Sequence, residues 1–422
     1  MQDHVQRLAL HNEVHARPPE PVRLPISISH VVMGIDRDAR HASREHLSRL
    51  LRDHHLAIPE ESSTHLRVEI GHWRLRWELH TEFVTWTFMR EADPAVTSHD
   101  PESALEAVPQ AWLADLPGEC LARIHLWALP SSATSSDWVT RFLQEETLVA
   151  SAVADGLATV HTDFQLHPDG YSRIFLFAGS LPPRQLGRLL QQLLEIETYR
   201  MAALLGLPAA RAAGAVLADA ERELAELAQA IRSAKREDEP GLLDRLTRLA
   251  GQVEGQYAAT HSRFSASRAY FELVDRRIRD IRESRLNGMQ TIAEFMDRRL
   301  SPARSTCDWT VRRQTALSER VSRMSNLLRT RVEIEQQQSS QELLATMNRR
   351  QGLQLQLQST VEGFSVAAIT YYIVGLVHHV VEGLSHHGWP WGIEITTAAS
   401  VPLVALLVWL FIRHLHQKLS SH

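Results

Sequence analysis

Cysteine and lysine are almost missing from this chain. The two cysteines among its 422 residues, Cys120 and Cys307, stand far apart. They offer neither a disulfide framework nor a zinc-ribbon spacing, and they fit a reducing compartment. Lysine occurs only at Lys235 and Lys418, so nearly every basic residue is arginine. The formal net charge of −5 creates no global field that would favour nucleic acid. Walker A, GxGxxG, GxSxG, HExxH and EF-hand patterns are missing, so no short motif points to an enzyme. The opening MQDHVQRLALHNEVHARPPEP has no apolar stretch and does not read as a secretory signal.

Two long apolar runs stand out near the C-terminus, with no earlier stretch expected to match them. Residues 363–381 and 395–412 contain no Asp, Glu, Lys or Arg. At ~1.5 Å per helical residue each spans ~27–29 Å, close to the ~30 Å hydrocarbon core of a bilayer. A buried helical hairpin in a soluble core is the alternative. Arg349 and Arg350 precede the first run, Arg413 and Lys418 follow the second, and residues 385–393 carry no Lys or Arg. The positive-inside rule then places both termini in the cytoplasm of an inner-membrane, multi-pass protein. Trp389, Trp391 and Trp409 fall near the expected interfaces.

Hydropathy patterning divides the rest. Residues 1–182 read as a cytoplasmic α/β or α+β domain, with strands at 22–33, 66–89, 121–129, 159–166 and 171–178 and helices at 38–56, 102–114 and 136–153. Residues 183–360 read as a helical, coiled-coil-like stalk without strands, broken near Pro208, Pro240-Gly241 and Ser301-Pro302. Its last helix starts near Ala303 and enters the membrane without a strong breaker. The first span covers 361–384, the external loop 385–393, the second span 394–413 and a cytoplasmic tail 414–422. No short-period repeat suggests a solenoid.

Four constellations carry potential chemistry. His11, Glu13, His15 and Arg17 lie close together at the N-terminus, and histidines four apart share a helix face. The pair forms either part of a metal site or a polar segment bonded to the domain. Trp73 to Phe83 alternates an apolar face with a charged one bearing Glu78, His80 and Glu82. The apolar phase then flips to Val84, Trp86 and Phe88, so a bend or bulge is expected near 81–83. That charged face either binds a cation or is a solvated strand surface. At the end of the first span, His378, His379 and Glu382 are ion-pathway candidates. His378 and Glu382 are helix-face neighbours, and ionisable groups at membrane depth mark ion paths or snorkel to the interface. Gly363, Ser365, Ala367, Ala368, Thr370 and Gly375 would let copies of the first span pack closely, giving a homo-oligomer.

HNEVHARPPEP, WELHTEF, LEIETYRMAALLGLP and LLATMNRRQGLQLQLQSTVEGFSVAAITYYIVGL resemble an uncharacterised family of bacterial membrane-anchored proteins, a domain of unknown function. That resemblance covers essentially the whole chain and implies no activity. In layout the chain is also similar to CorA-type magnesium transporters, with a cytoplasmic α/β domain, a long helix and a C-terminal two-helix hairpin. Residues 381–389 read VEGLSHHGW where those transporters carry Gly-Met-Asn, so their selectivity element does not transfer. The layout implies transport or sensing of cations, with a divalent cation as the possible ligand. The alternative is a non-conducting anchored scaffold or regulator that binds a cytoplasmic protein partner.

Overall fold

The structure, a computed structural model, describes residues 3–8, 10–11, 18–91, 101–133, 135–235, 237–385 and 392–419. The chain forms two compact units, Met1–Ser325 and Asn326–His422. The first is an α+β fold built on a mixed nine-stranded sheet of order β2-β3-β4-β1-β5-β8-β7-β6-β9. In chain order the strands are β1 (Ile26–Gly34), β2 (His65–Ile70), β3 (Trp73–Leu79), β4 (Phe83–Glu91), β5 (Glu119–Pro130), β6 (Val149–Val153), β7 (Ala158–Thr162), β8 (Ser172–Ala178) and β9 (Ser284–Arg285). Among the described strand pairs, β5 with β8 is the parallel one, and Val149 of β6 adds a single parallel bridge to Gln290.

Helices cover both faces of this sheet. Helix α1 (Arg37–Asp53) starts where the Asp36 carboxylate accepts from the Ala39 N–H, and Arg52 lies in its last turn, as the helix dipole favours. Its residues Leu47, Leu50 and Leu51, at helical spacing, bury against Trp77, Trp86 and Phe88. Trp77 and Trp86 are fully buried and directly opposed across the β3–β4 pair. Burying a side chain of that size is worth roughly 2–3 kcal/mol. On the same face, α2 (Gln110–Ala114) adds Trp112, while α3 (Ser135–Phe142) packs Trp138 and Val139 over Trp127 and Phe175.

The other face carries α4 (Pro183–Leu204), α5 (Gly206–Ser233) and α6 (Glu239–Asp280). Leu186, Leu190, Leu193 and Leu194 of α4 and Phe271 and Val274 of α6 share one core with Ile28, Leu126 and Leu176 of the sheet. The N-terminal segment crosses α4 so closely that a Cβ at Gly187 would sit 1.7 Å from the Glu20 carbonyl oxygen. Helix α7 (Ile292–Ser385) begins in this unit, where Met296, Leu300 and Ala303 join the same core. It runs beside α6, with Gln314 bonded to Thr260 at 2.9 Å and Arg304 to Asp275 at 2.8 Å. Residues 183–325, expected to form a stalk apart from the sheet, therefore belong to the unit that contains it.

Several local expectations change. Residues 66–89 are three strands, because the chain turns at 71–72 and again at 80–82. The phase flip is thus a hairpin in which odd positions of β3 face even positions of β4, and no bulge is needed. The stretch 136–153 is α-helical only to Phe142, makes a 3₁₀ turn at Glu145–Thr147 and then enters β6. The stretch 102–114 splits into a 3₁₀ turn, Ala104–Ala107, and the short α2. A two-residue strand, β9, pairs with β6 just before α7. Pro302 lies inside α7 rather than at its start, on an exposed position where water can satisfy the carbonyl it leaves unpaired.

Three helical stretches, Pro183–Ser233, Ile292–Leu384 and Ile393–His414, are long and apolar enough to cross a membrane. The first was not expected, and its α4 leucines are buried against the sheet. In the second unit, α8 (Ile393–Leu419) and the end of α7 leave most of their apolar side chains exposed.

Candidate functional site

The β3–β4 hairpin brings some of the expected residues together. His80, Thr81 and Glu82 form its turn, closed by the His80 N–H bonding to the Phe83 carbonyl at 2.8 Å. Arg40 of α1 clamps the turn by donating to the His80 and Thr81 carbonyls at 2.8 and 2.7 Å. Glu78 therefore lies on a strand while His80 and Glu82 do not, and the three do not stack along one strand face as expected. Glu82 turns to α6, where it meets Arg263 at 2.9 Å. Burial, and then the Glu82 carboxylate, push the Tyr270 hydroxyl well above the usual phenol range.

Glu78 and His80 both border a small polar cavity between the sheet and α4. Glu78 accepts from Arg76 at 2.7 Å, and both side chains are more than nine-tenths buried. His30 of β1 sits between Thr87 and Thr198, with Nδ1 at 2.7 Å and Nε2 at 3.1 Å from their hydroxyl oxygens. The Thr198 hydroxyl already donates to the Leu194 carbonyl at 2.9 Å, so it must accept from His30. His30 therefore carries its proton on Nε2, and its Nδ1 accepts from Thr87. Burial, followed by the positive Arg76 and then His80, lowers the His30 pKa to about 3. A neutral imidazole with both nitrogens committed is a poor base and a poor metal ligand.

Three buried polar atoms around this cavity have no protein partner: Arg76 Nε, Thr85 Oγ1 and Gln191 Oε1. The cavity volume of about 30 Å³ is enough for a water molecule and too small for a substrate. A water there would meet donor and acceptor demands together. The arrangement reads as a hydrated polar core that fixes α4 on the sheet.

A second concavity lies elsewhere in the same unit and was not signalled by any sequence motif. Its volume of about 640 Å³ falls in the range of small-molecule sites. Val139, Leu143, Leu148 and Met289 form its apolar lining. Thr140, Glu145, His161 and Gln290 supply its polar edge. His161 Nδ1 is buried and unpartnered, and burial lowers the pKa of this imidazole, which keeps it neutral near pH 7. These residues come from α3, β7 and the loop before α7, so only the fold unites them.

The remaining expectations divide. His11 is exposed, whereas Glu13, His15 and Arg17 lie outside the described residues. In the second unit, His378 turns toward α8, with Nδ1 at 3.1 Å from Thr397 Oγ1. Glu382 instead meets His379 at 3.4 Å. Among the described residues, no three His, Cys, Asp or Glu side chains gather in a way that could hold a metal ion.

The chain belongs to the family described as Protein of unknown function (DUF3422), which it matches over residues 2–419. No curated protein and no solved structure matches it.

Proposed function

We propose that this protein is a membrane-anchored scaffold or regulator whose α+β unit engages a cytoplasmic protein partner. One observation carries the reading: the end of α7 and α8 expose Phe364, Tyr371, Tyr372, Leu376, Leu403 and Phe411, whereas the first unit buries most of its large apolar residues and exposes only scattered ones such as Ile58 and Leu166. Exposed apolar surface on this scale marks an interaction or membrane surface. On this reading the two helices cross the inner membrane as a hairpin, residues 385–393 emerge outside, and both termini stay cytoplasmic. Copies then associate through α7, whose residues 340–361 are exposed without exception. Washing membranes at alkaline pH tests the anchor. The full chain should stay in the membrane pellet, and a chain ending at Glu362 should move to the supernatant. Release of the full chain would overturn the proposal.

A second reading, cation handling, is favoured by the exposed His379–Glu382 pair at the end of α7. In a symmetric oligomer that pair repeats as a ring of carboxylates and imidazoles, which attracts cations. Glu382→Gln removes the charge at nearly constant shape. Cation flux into liposomes should then fall several-fold while the oligomer persists in light scattering. Flux that is absent from the wild type, or unchanged in the variant, leaves the scaffold reading alone.

A further inference from the structure

We propose that the groove between α3, β7 and the loop before α7 binds a small primary amine with a compact apolar body. Three features converge on this ligand class, and none depends on how the protein meets a membrane. The volume of about 640 Å³ admits a molecule of metabolite size. Val139, Leu143, Leu148 and Met289 give it an apolar interior, in which a hydrocarbon body displaces water at little polar cost.

Charge selects the head group. Among the described residues that line the groove, Glu145 is the one with a formal charge, and it is negative. The nearby cation Arg298 is not itself a lining residue and is engaged by Gln290 Oε1 at 2.8 Å. His161 stays neutral because burial disfavours its charged form, so it offers no compensation to an anion. Its buried Nδ1 has no protein partner, and an edge-on Phe177, with ring centroids 5.6 Å apart, holds the ring in place. An ammonium brings three donors to a lining whose formally charged group is the Glu145 carboxylate. A carboxylate of the same shape would meet Glu145 as a like charge.

Matched probes make this testable on the full chain in nanodiscs, with empty nanodiscs as the control for partitioning. Equilibrium dialysis would compare cyclohexylmethylamine, cyclohexylmethanol and cyclohexanecarboxylate, which share one apolar body. The amine should bind saturably and about tenfold more tightly than the alcohol, as one charge-assisted hydrogen bond allows. The carboxylate should bind most weakly. Met289→Trp fills the groove and should abolish binding of the amine and the alcohol. Glu145→Gln should bring the amine down to the affinity of the alcohol. Both positions are at least partly exposed, so neither change threatens the core. The proposal falls if amine binding does not exceed that of empty nanodiscs. It falls equally if the carboxylate matches the amine, or if either variant leaves amine binding unchanged.

Discussion

Acidification from pH 6.5 to about 4.5 should remove roughly 4 kcal/mol from the stability of the first unit, at roughly 1 kcal/mol per buried histidine per pH unit. The two imidazoles with the largest shifts contribute most of it. His30 has its pKa lowered from 6.5 to about 3, and His125 has its lowered from 6.5 to about 4, burial being the main cause in both. The sign follows from proton counting. Between those values and 6.5 the unfolded chain binds protons that the folded chain refuses, so stability falls as pH falls. The contribution is complete above pH 6.5 and is lost progressively toward the folded values. His125 is stacked on Tyr171, with ring centroids 3.9 Å apart, and bonded to Ser29 at 2.8 Å. His30→Gln keeps hydrogen-bonding capacity without a titrating ring and should roughly halve the acid slope. Urea midpoints followed by tryptophan fluorescence at pH 7, 6 and 5 would show this. A midpoint that does not move with pH would contradict the assignment.

Much of this unit was legible in its periodicity. Strands at β1, β5, β7 and β8 and the helix α1 follow directly from two-residue and helical spacing. What escaped was set by pairing. The flip from odd Trp73, Leu75 and Trp77 to even Val84, Trp86 and Phe88 signals a change of direction, and a turn satisfies it as well as a bulge does. The β6 segment VASAV is short and follows a helical pattern, so its strand character depends on β7 beside it. Helix α7 starts early because Glu283 caps it, accepting from the Ile292 and Ala293 N–H groups at 3.0 and 2.7 Å. A local signal stands there too, the Thr291–Glu294 capping box, in which the Thr291 hydroxyl accepts from the Glu294 N–H at 3.2 Å and the Glu294 carboxylate accepts from the Thr291 N–H at 3.1 Å.

The candidate sites show the same division. Glu78 and His80 were visible as charged positions in an apolar strand pattern. His30, Gln191 and Thr198 were not, because two elements distant in sequence, β1 and α4, deliver them to the cavity. A histidine among valines in β1 and a threonine in a leucine-rich helix are both ordinary residues until the fold opposes them.

Arg76→Ala should cost about 3–5 kcal/mol, the scale for stranding one member of a buried ion pair. Arg76 and Glu78 are only 9% and 8% exposed, so removing the guanidinium leaves the Glu78 carboxylate buried without its partner. Arg67, which lies opposite Arg76 and feels the Glu78 charge, already donates to the Pro18 carbonyl, and Arg277 is engaged by Glu195. The cost is chiefly that of an uncompensated charge rather than of a lost attraction. Removing both charges tests this distinction. Arg76→Met combined with Glu78→Leu keeps the volume and eliminates the desolvation penalty, so its urea midpoint should return most of the way to wild type. A double variant as unstable as Arg76→Ala would mean that the pair is held by its wider network, including the atoms facing the hydrated cavity.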